Sequence, residues 1–79
     1  MRCIGIIGAM EVEVASLKEQ MKDIQVTRKA SMEFYSGIIE GKNVIVVRSG
    51  IGKVNAAVCT QILIDDFKAE VVINTGIAG

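Results

Sequence analysis

The stretch IGIIGAMEVEV, residues 4–14, changes its period in the middle. Up to Gly8 the apolar positions do not alternate, and residues 2–8 read as a strand buried on both faces. From there Met10, Val14, Leu17 and Met21 fall at i, i+4, i+7 and i+11, one stripe of a helix running from residue 10 or 11 to 22. The rest of the chain repeats the theme. NVIVVRS (43–49) is a strand, and a helix over 52–67, rich in small residues early, follows it. AEVVINTG (69–76) is a last buried strand. Between the units, IQVTRK (24–29) and MEFYSGIIEG (32–41) read as strands, and EGKN (40–43) as a turn in which Gly41 is free to take positive φ. Strand–helix–strand units with apolar strands predict an α/β sheet with a parallel centre.

The bulk properties exclude several classes. Nine basic and nine acidic residues among 79 cancel, and no basic stripe is visible. Nucleic-acid affinity rests mainly on phosphate neutralisation, so no such partner is expected. The apolar runs are far short of the roughly 20 residues of a membrane span. Gly5, Gly8 and Glu11 interrupt any signal-peptide pattern, which makes the cytoplasm the expected compartment. Cys3 and Cys59, in a strand and a helix pattern, read as reduced core residues and not as a disulfide framework or a metal cluster. Histidine is absent, so Ser-His-Asp and Cys-His catalysis and the common zinc sites are not available to these residues. Carboxylates and backbone amides are the chemical tools that remain, and the sequence calls for no metal and no cofactor.

At least three strands want cover on both faces, yet the pattern offers two helices and ends directly after a strand. The expectation is the front part of a larger α/β domain. The alternative is a small complete domain that finishes its core by oligomerising.

Three glycine-containing loops follow the three apolar strands: GAM at 8–10, SGIG at 49–52 and NTGIAG at 74–79. In open α/β sheets ligands bind outside the carboxyl ends of the strands. Parallel strands would gather all three loops at one edge, where glycines let backbone N–H groups approach a small molecule. VVRSGIGKV is not a Walker loop, because Val47 replaces the first glycine and Val54 the magnesium-binding hydroxyl. GIGKVN has Asn55 at the third glycine of a dinucleotide fingerprint, and GIIGAM has the wrong spacing. Glu11 and Glu13 lie in the first turn of the first helix. The helix dipole favours an anion there by roughly 0.3–1 kcal/mol, which accounts for Glu11. Glu13 flanks the apolar stripe, beside the packed face and one turn from the first glycine loop. On composition alone, a helix-start glutamate at the solvent border accounts for it too.

Together IGIIGAMEVEV, SGIGKVNAA and VINTGIAG resemble the amino-terminal third of the 5′-methylthioadenosine/S-adenosylhomocysteine nucleosidases, a family of the nucleoside phosphorylase superfamily. The resemblance runs over essentially all of residues 1–79, which it identifies as the amino-terminal portion of a single nucleoside phosphorylase-like domain. It implies a mixed sheet with a parallel centre flanked by helices, and a homodimeric enzyme of methionine salvage. That enzyme hydrolyses the N-glycosidic bond of a 5′-thio-substituted adenosine to adenine and a thioribose. It implies that Glu13 positions and activates the attacking water. Ala9 and Met10 would line the ribose and nucleophile side, Ile51 would contact the apolar portion of the substrate, and Ala78 and Gly79 would lie near the base and ribose. Ile77 departs from the serine that many relatives carry in this loop. The family's catalytic acid and purine-stacking residue belong to its later two-thirds, so the 79 residues alone are expected to be inactive. A nucleoside phosphorylase of the same superfamily and a non-catalytic binding or assembly module are the alternatives.

Overall fold

The computed structural model describes residues 3–8, 11–29, 32–48 and 53–75, the side chains of residues 11, 13, 53–56 and 75 excepted. In chain order the elements are β1 (Cys3–Gly8), α1 (Glu11–Gln20), β2 (Lys22–Lys29), β3 (Met32–Ile39), β4 (Lys42–Arg48), α2 (Lys53–Asp65) and β5 (Val71–Thr75). The five strands form one sheet in the order β2-β3-β4-β1-β5. β1 pairs in parallel with β4 on one side and β5 on the other. β2 and β3 join as an antiparallel wing. The sheet is therefore mixed with a parallel centre.

NVIVV fails to alternate because both faces of β4 are covered. Val44 and Val46 pack with Val14 and Met21, with Leu17, Tyr35, Ile6 and Ile39 around them. Ile45 and Val47 point the other way and pack with Ile7, Phe34, Cys59 and Leu63. α1 thus covers one face of the sheet and α2 the other, and two small cores share one strand. Of the predicted stripe, Val14 and the half-buried Leu17 face the sheet from α1, and Met21, the residue after the helix, is buried beside them; Met10 lies outside the described residues.

α2 reaches the sheet through a glycine. A Cβ on Gly5 would stand 2.9 Å from Leu63 Cδ1, so the missing side chain of β1 is the seat of a fully buried leucine. A second glycine works similarly on the other face. A Cβ on Gly37 would stand 2.9 Å from the Lys22 carbonyl oxygen and 2.9 Å from Met21 Cε, where the chain leaving α1 crosses β3.

The boundaries differ from the sequence reading where no glycine marks them. α1 ends at Gln20 and not at residue 22: the Met21 N–H turns back to the Lys18 carbonyl at 3.1 Å, and Asp23 takes φ 55° at the irregular start of β2. α2 ends at Asp65 and not at 67. Lys68 adopts φ 57°, and the Ala69 N–H returns to the Leu63 carbonyl at 2.9 Å, a left-handed helix exit without glycine. β3 ends at Ile39, because Glu40 and Gly41 both take positive φ, 51° and 78°, as a two-residue hairpin turn requires.

β5 is less buried than its apolar composition suggests. Val72 packs on the α2 side. Val71 and Ile73 face the opposite side and stay 40% and 44% exposed, since α1 sits over β4 and β1 and does not reach the edge strand. Exposed polar contacts trim the other wing. Arg28 and Tyr35 both donate to Glu33, at 3.2 and 3.0 Å, and Lys18 lies 4.2 Å above the Tyr35 ring. Lys29 pairs with Asp66 at 2.9 Å, tying the end of β2 to the end of α2.

Candidate functional site

Parallel register brings the ends of three strands together. Gly8 at the end of β1 is paired with Arg48 at the end of β4 and with Thr75 at the end of β5. Neighbouring strands lie about 4.8 Å apart, so the row Arg48–Gly8–Thr75 spans about 10 Å with a glycine in its centre. The chain leaves this row directly into the three glycine-containing loops. Their predicted convergence on one sheet edge is therefore supported by the strand ends, although the loops themselves lie outside the described residues.

The same edge is a topological switch point. α1, which follows β1, packs on one face; α2, which follows the adjacent β4, packs on the other. Strand ends at such a switch point are the usual ligand position in open α/β sheets. Two residues separate the end of β1 from the first turn of α1, so its unpaired N–H groups and positive dipole end belong to this edge. Glu13 is the third residue of that helix. Its side chain lies outside the described residues, and so do Ala9, Met10, Ile51, Ala78 and Gly79.

Two described residues at this edge were not singled out from sequence. Arg48 is exposed and closes β4. Asn74, also exposed, lies one residue before the end of β5. The available signal was their place: a polar residue closing an otherwise apolar parallel strand just before a glycine loop.

Other chemistry lies elsewhere. A concavity of about 360 Å³ is lined by Cys3, Asn43, Ser36, Ile45 and Phe67 among others, at the amino ends of β1 and β4 and hence at the far edge of the sheet. Burial raises the pKa of the Cys59 thiol; burial, with a contribution from the Glu70 carboxylate, raises that of Cys3. Both cysteines are free, and neither offers a thiolate near neutrality. Among the described residues, no three His, Cys, Asp or Glu side chains gather as metal ligands, and no helix is long and apolar enough to cross a membrane.

This architecture has known counterparts. A family model described as the phosphorylase superfamily matches residues 3–79. The chain belongs to the phosphorylase superfamily. Within that superfamily it is 55% identical over 76 residues to a 5′-methylthioadenosine/S-adenosylhomocysteine nucleosidase of Anoxybacillus flavithermus, a match covering 96% of this chain and 33% of the relative. The crystal structure of such a nucleosidase from Colwellia psychrerythraea, in complex with adenine, superposes with a TM-score of 0.92. It is 52% identical, and the match covers 99% of this chain and 32% of that one. A Neisseria meningitidis nucleosidase in complex with methylthio-immucillin-A gives a TM-score of 0.93 at 43% identity, over all of this chain and 34% of that one. The chain thus spans about a third of the length of the relatives it matches.

Proposed function

We propose that these residues are the amino-terminal portion of a single nucleoside phosphorylase-like domain, and that the protein carrying them is a nucleosidase. It hydrolyses the N-glycosidic bond of 5′-methylthioadenosine and S-adenosylhomocysteine and releases adenine and a thioribose. The observation that carries this reading is the 55% identity to a nucleosidase of that name, sustained over 96% of the chain. The meeting of three strand ends at Gly8, where the following helices take opposite faces of the sheet, supports it, since ligands of open α/β sheets bind at such switch points.

In this reading Glu13 takes a proton from water as the oxygen attacks the anomeric carbon. Its charge also favours the sugar cation that develops as the bond to the purine nitrogen breaks. Ala9 and Met10 line the ribose and nucleophile side, Ile51 meets the apolar 5′ portion, and Ala78 and Gly79 lie near base and ribose. The proton for the leaving adenine comes from residues beyond position 79, so the 79 residues alone release no adenine. The full-length enzyme is a cytoplasmic homodimer of methionine salvage and needs no cofactor.

The superfamily's description favours one second reading, attack by phosphate. A phosphate nucleophile needs cations at the first loop, and the residues after Gly8 are Ala9, Met10, Glu11, Val12 and Glu13. Two carboxylates there repel an anion. Incubation of the full-length protein with methylthioadenosine, with and without inorganic phosphate, separates the two. Hydrolysis predicts the same rate and free methylthioribose in both. A rate that needs phosphate, with a sugar 1-phosphate as product, would establish the phosphorylase.

A further inference from the structure

We propose that Met32 is an oxidative modification site, and that its sulfoxide uncovers the Cys59 thiol in the core beneath α2. The inference is independent of the nucleosidase reading, because it rests on a contact between two sulfur atoms on the α2 face of the sheet. Cys59 lies on α2 and is fully buried. Its S–H donates to Met32 Sδ, 3.1 Å from Sγ. Met32 opens β3 and is half-buried, packed against the cluster that holds Ile7, Phe34, Cys59 and Leu63. The thioether is thus the outer sulfur of the pair and the thiol the inner one. Of the two methionines whose side chains are described, Met21 is buried at 7% exposure, so Met32 is the one that a solvent-borne oxidant reaches.

The chemistry also falls on Met32. A thiol reacts as its thiolate, and burial keeps Cys59 protonated. A thioether has no proton to lose and offers its lone pair at any pH. Hydrogen peroxide transfers one oxygen to Met32 Sδ: the O–O bond breaks, an S–O bond forms, the sulfur is oxidised, the peroxide is reduced and water leaves. The product puts a polar, bulkier group where the acceptor of the Cys59 S–H had been. α2 leaves little room for it. Leu63, one turn beyond Cys59 on the same helix, is fully buried against Gly5, where even a Cβ would stand 2.9 Å from Leu63 Cδ1. Water is within reach of the sulfoxide, because Met32 is only half-buried. The side chain therefore turns outward, and Cys59 loses its cap. Cys3, also free, donates to the Phe67 carbonyl at 3.5 Å and not to a methionine, which makes it the internal comparator.

The test uses the full-length protein, dilute hydrogen peroxide, alkylation by N-ethylmaleimide and peptide mass mapping. Peroxide is expected to add one oxygen to Met32 and to raise the alkylation rate of Cys59 about tenfold or more, as for a side chain that no longer fits a packed core. Alkylation of Cys3 should change little. Treatment with methionine sulfoxide reductase should restore the protection of Cys59. Met32→Leu keeps the volume but has no sulfur, and should keep Cys59 protected through the same peroxide treatment. Met32→Gln carries a polar group without any oxidant, and its Cys59 should react quickly from the start. Cys59 alkylation that rises equally in wild type and Met32→Leu overturns the inference, since another oxidised group would then open the core. A Met32 sulfoxide with Cys59 still protected overturns it, as does a Met32 that stays unmodified under peroxide. Fast alkylation that persists after the sulfoxide is reduced overturns it too.

Discussion

Gly5 and Gly37 show how much of this fold is set by atoms that are missing. Each stands where a Cβ would come within 2.9 Å of another group, but the groups differ. At Gly5 the obstacle is the end of a leucine side chain, which can rotate. At Gly37 it is a backbone carbonyl together with Met21. Overpacking a core costs about 1–3 kcal/mol. We expect Gly5→Ala near the lower end and Gly37→Ala near or above the upper end, measured by denaturant unfolding of the full-length protein. Trimming Leu63 to Val should recover stability in the Gly5→Ala background and not in the Gly37→Ala background. Equal costs for the two glycines would contradict the contacts described. Neither role was legible in sequence, where Gly5 read only as a break in any signal-peptide pattern and Gly37 as one position of a strand. Close approach depends on a residue 58 positions away for Gly5, as the Leu63 contact shows, and periodicity carries no such information. Gly41 is the opposite case. Its neighbours alone announced a turn, and the hairpin follows from local conformation.

At the scale of elements, the legible parts were those whose pattern reports their own burial. β4 read as doubly buried because it is, and α1 announced its inward face through Val14 and Leu17, with Met21 buried just past its end. Helix ends were less legible, because Met21 and Lys68 terminate helices through backbone turns that any residue can enter at some cost. β5 follows the expected shortage of cover: its valines and isoleucine call for packing on both faces, and Val71 and Ile73 stay exposed because the described elements do not supply it. The account of β4 can be tested directly. Val46 and Val47 are both fully buried, on opposite faces and in separate cores. Each change to alanine should cost about 2 kcal/mol. The double variant should lose close to the sum, because the two side chains share no partner. A cheap change at either position would mean that one face of β4 is open.

At the scale of the whole molecule, β5 is an edge strand without a second strand partner among the described residues, and Val71 and Ile73 on it are exposed. Such an edge invites pairing with another chain. The isolated 79 residues are therefore expected to self-associate or to unfold without cooperativity, as sedimentation and thermal unfolding would show; a compact monomer with a sharp transition would contradict this. The candidate site was legible as a place, three glycine-containing loops that parallel strands would bring to one edge. Its place at a topological switch point was not, because that depends on α1 and α2 taking opposite faces, and no local pattern encodes that choice. Arg48 escaped notice for the same reason, since only the register with Gly8 places it in the row of strand ends.

The central claim is that Glu13 activates water in an enzyme whose first third is this chain. The most direct measurement is adenine release from methylthioadenosine at neutral pH by the full-length protein and its Glu13→Gln and Glu11→Gln variants, with folding followed in parallel. The amide keeps the size of Glu13 and cannot accept a proton, and loss of a general base costs on the order of 10²–10⁴ in rate. The account predicts a loss of that size for Glu13→Gln with substrate binding largely retained, and little change for Glu11→Gln, whose role at the helix start amounts to about 1 kcal/mol of stability or less. Near-normal turnover by a folded Glu13→Gln protein would contradict it.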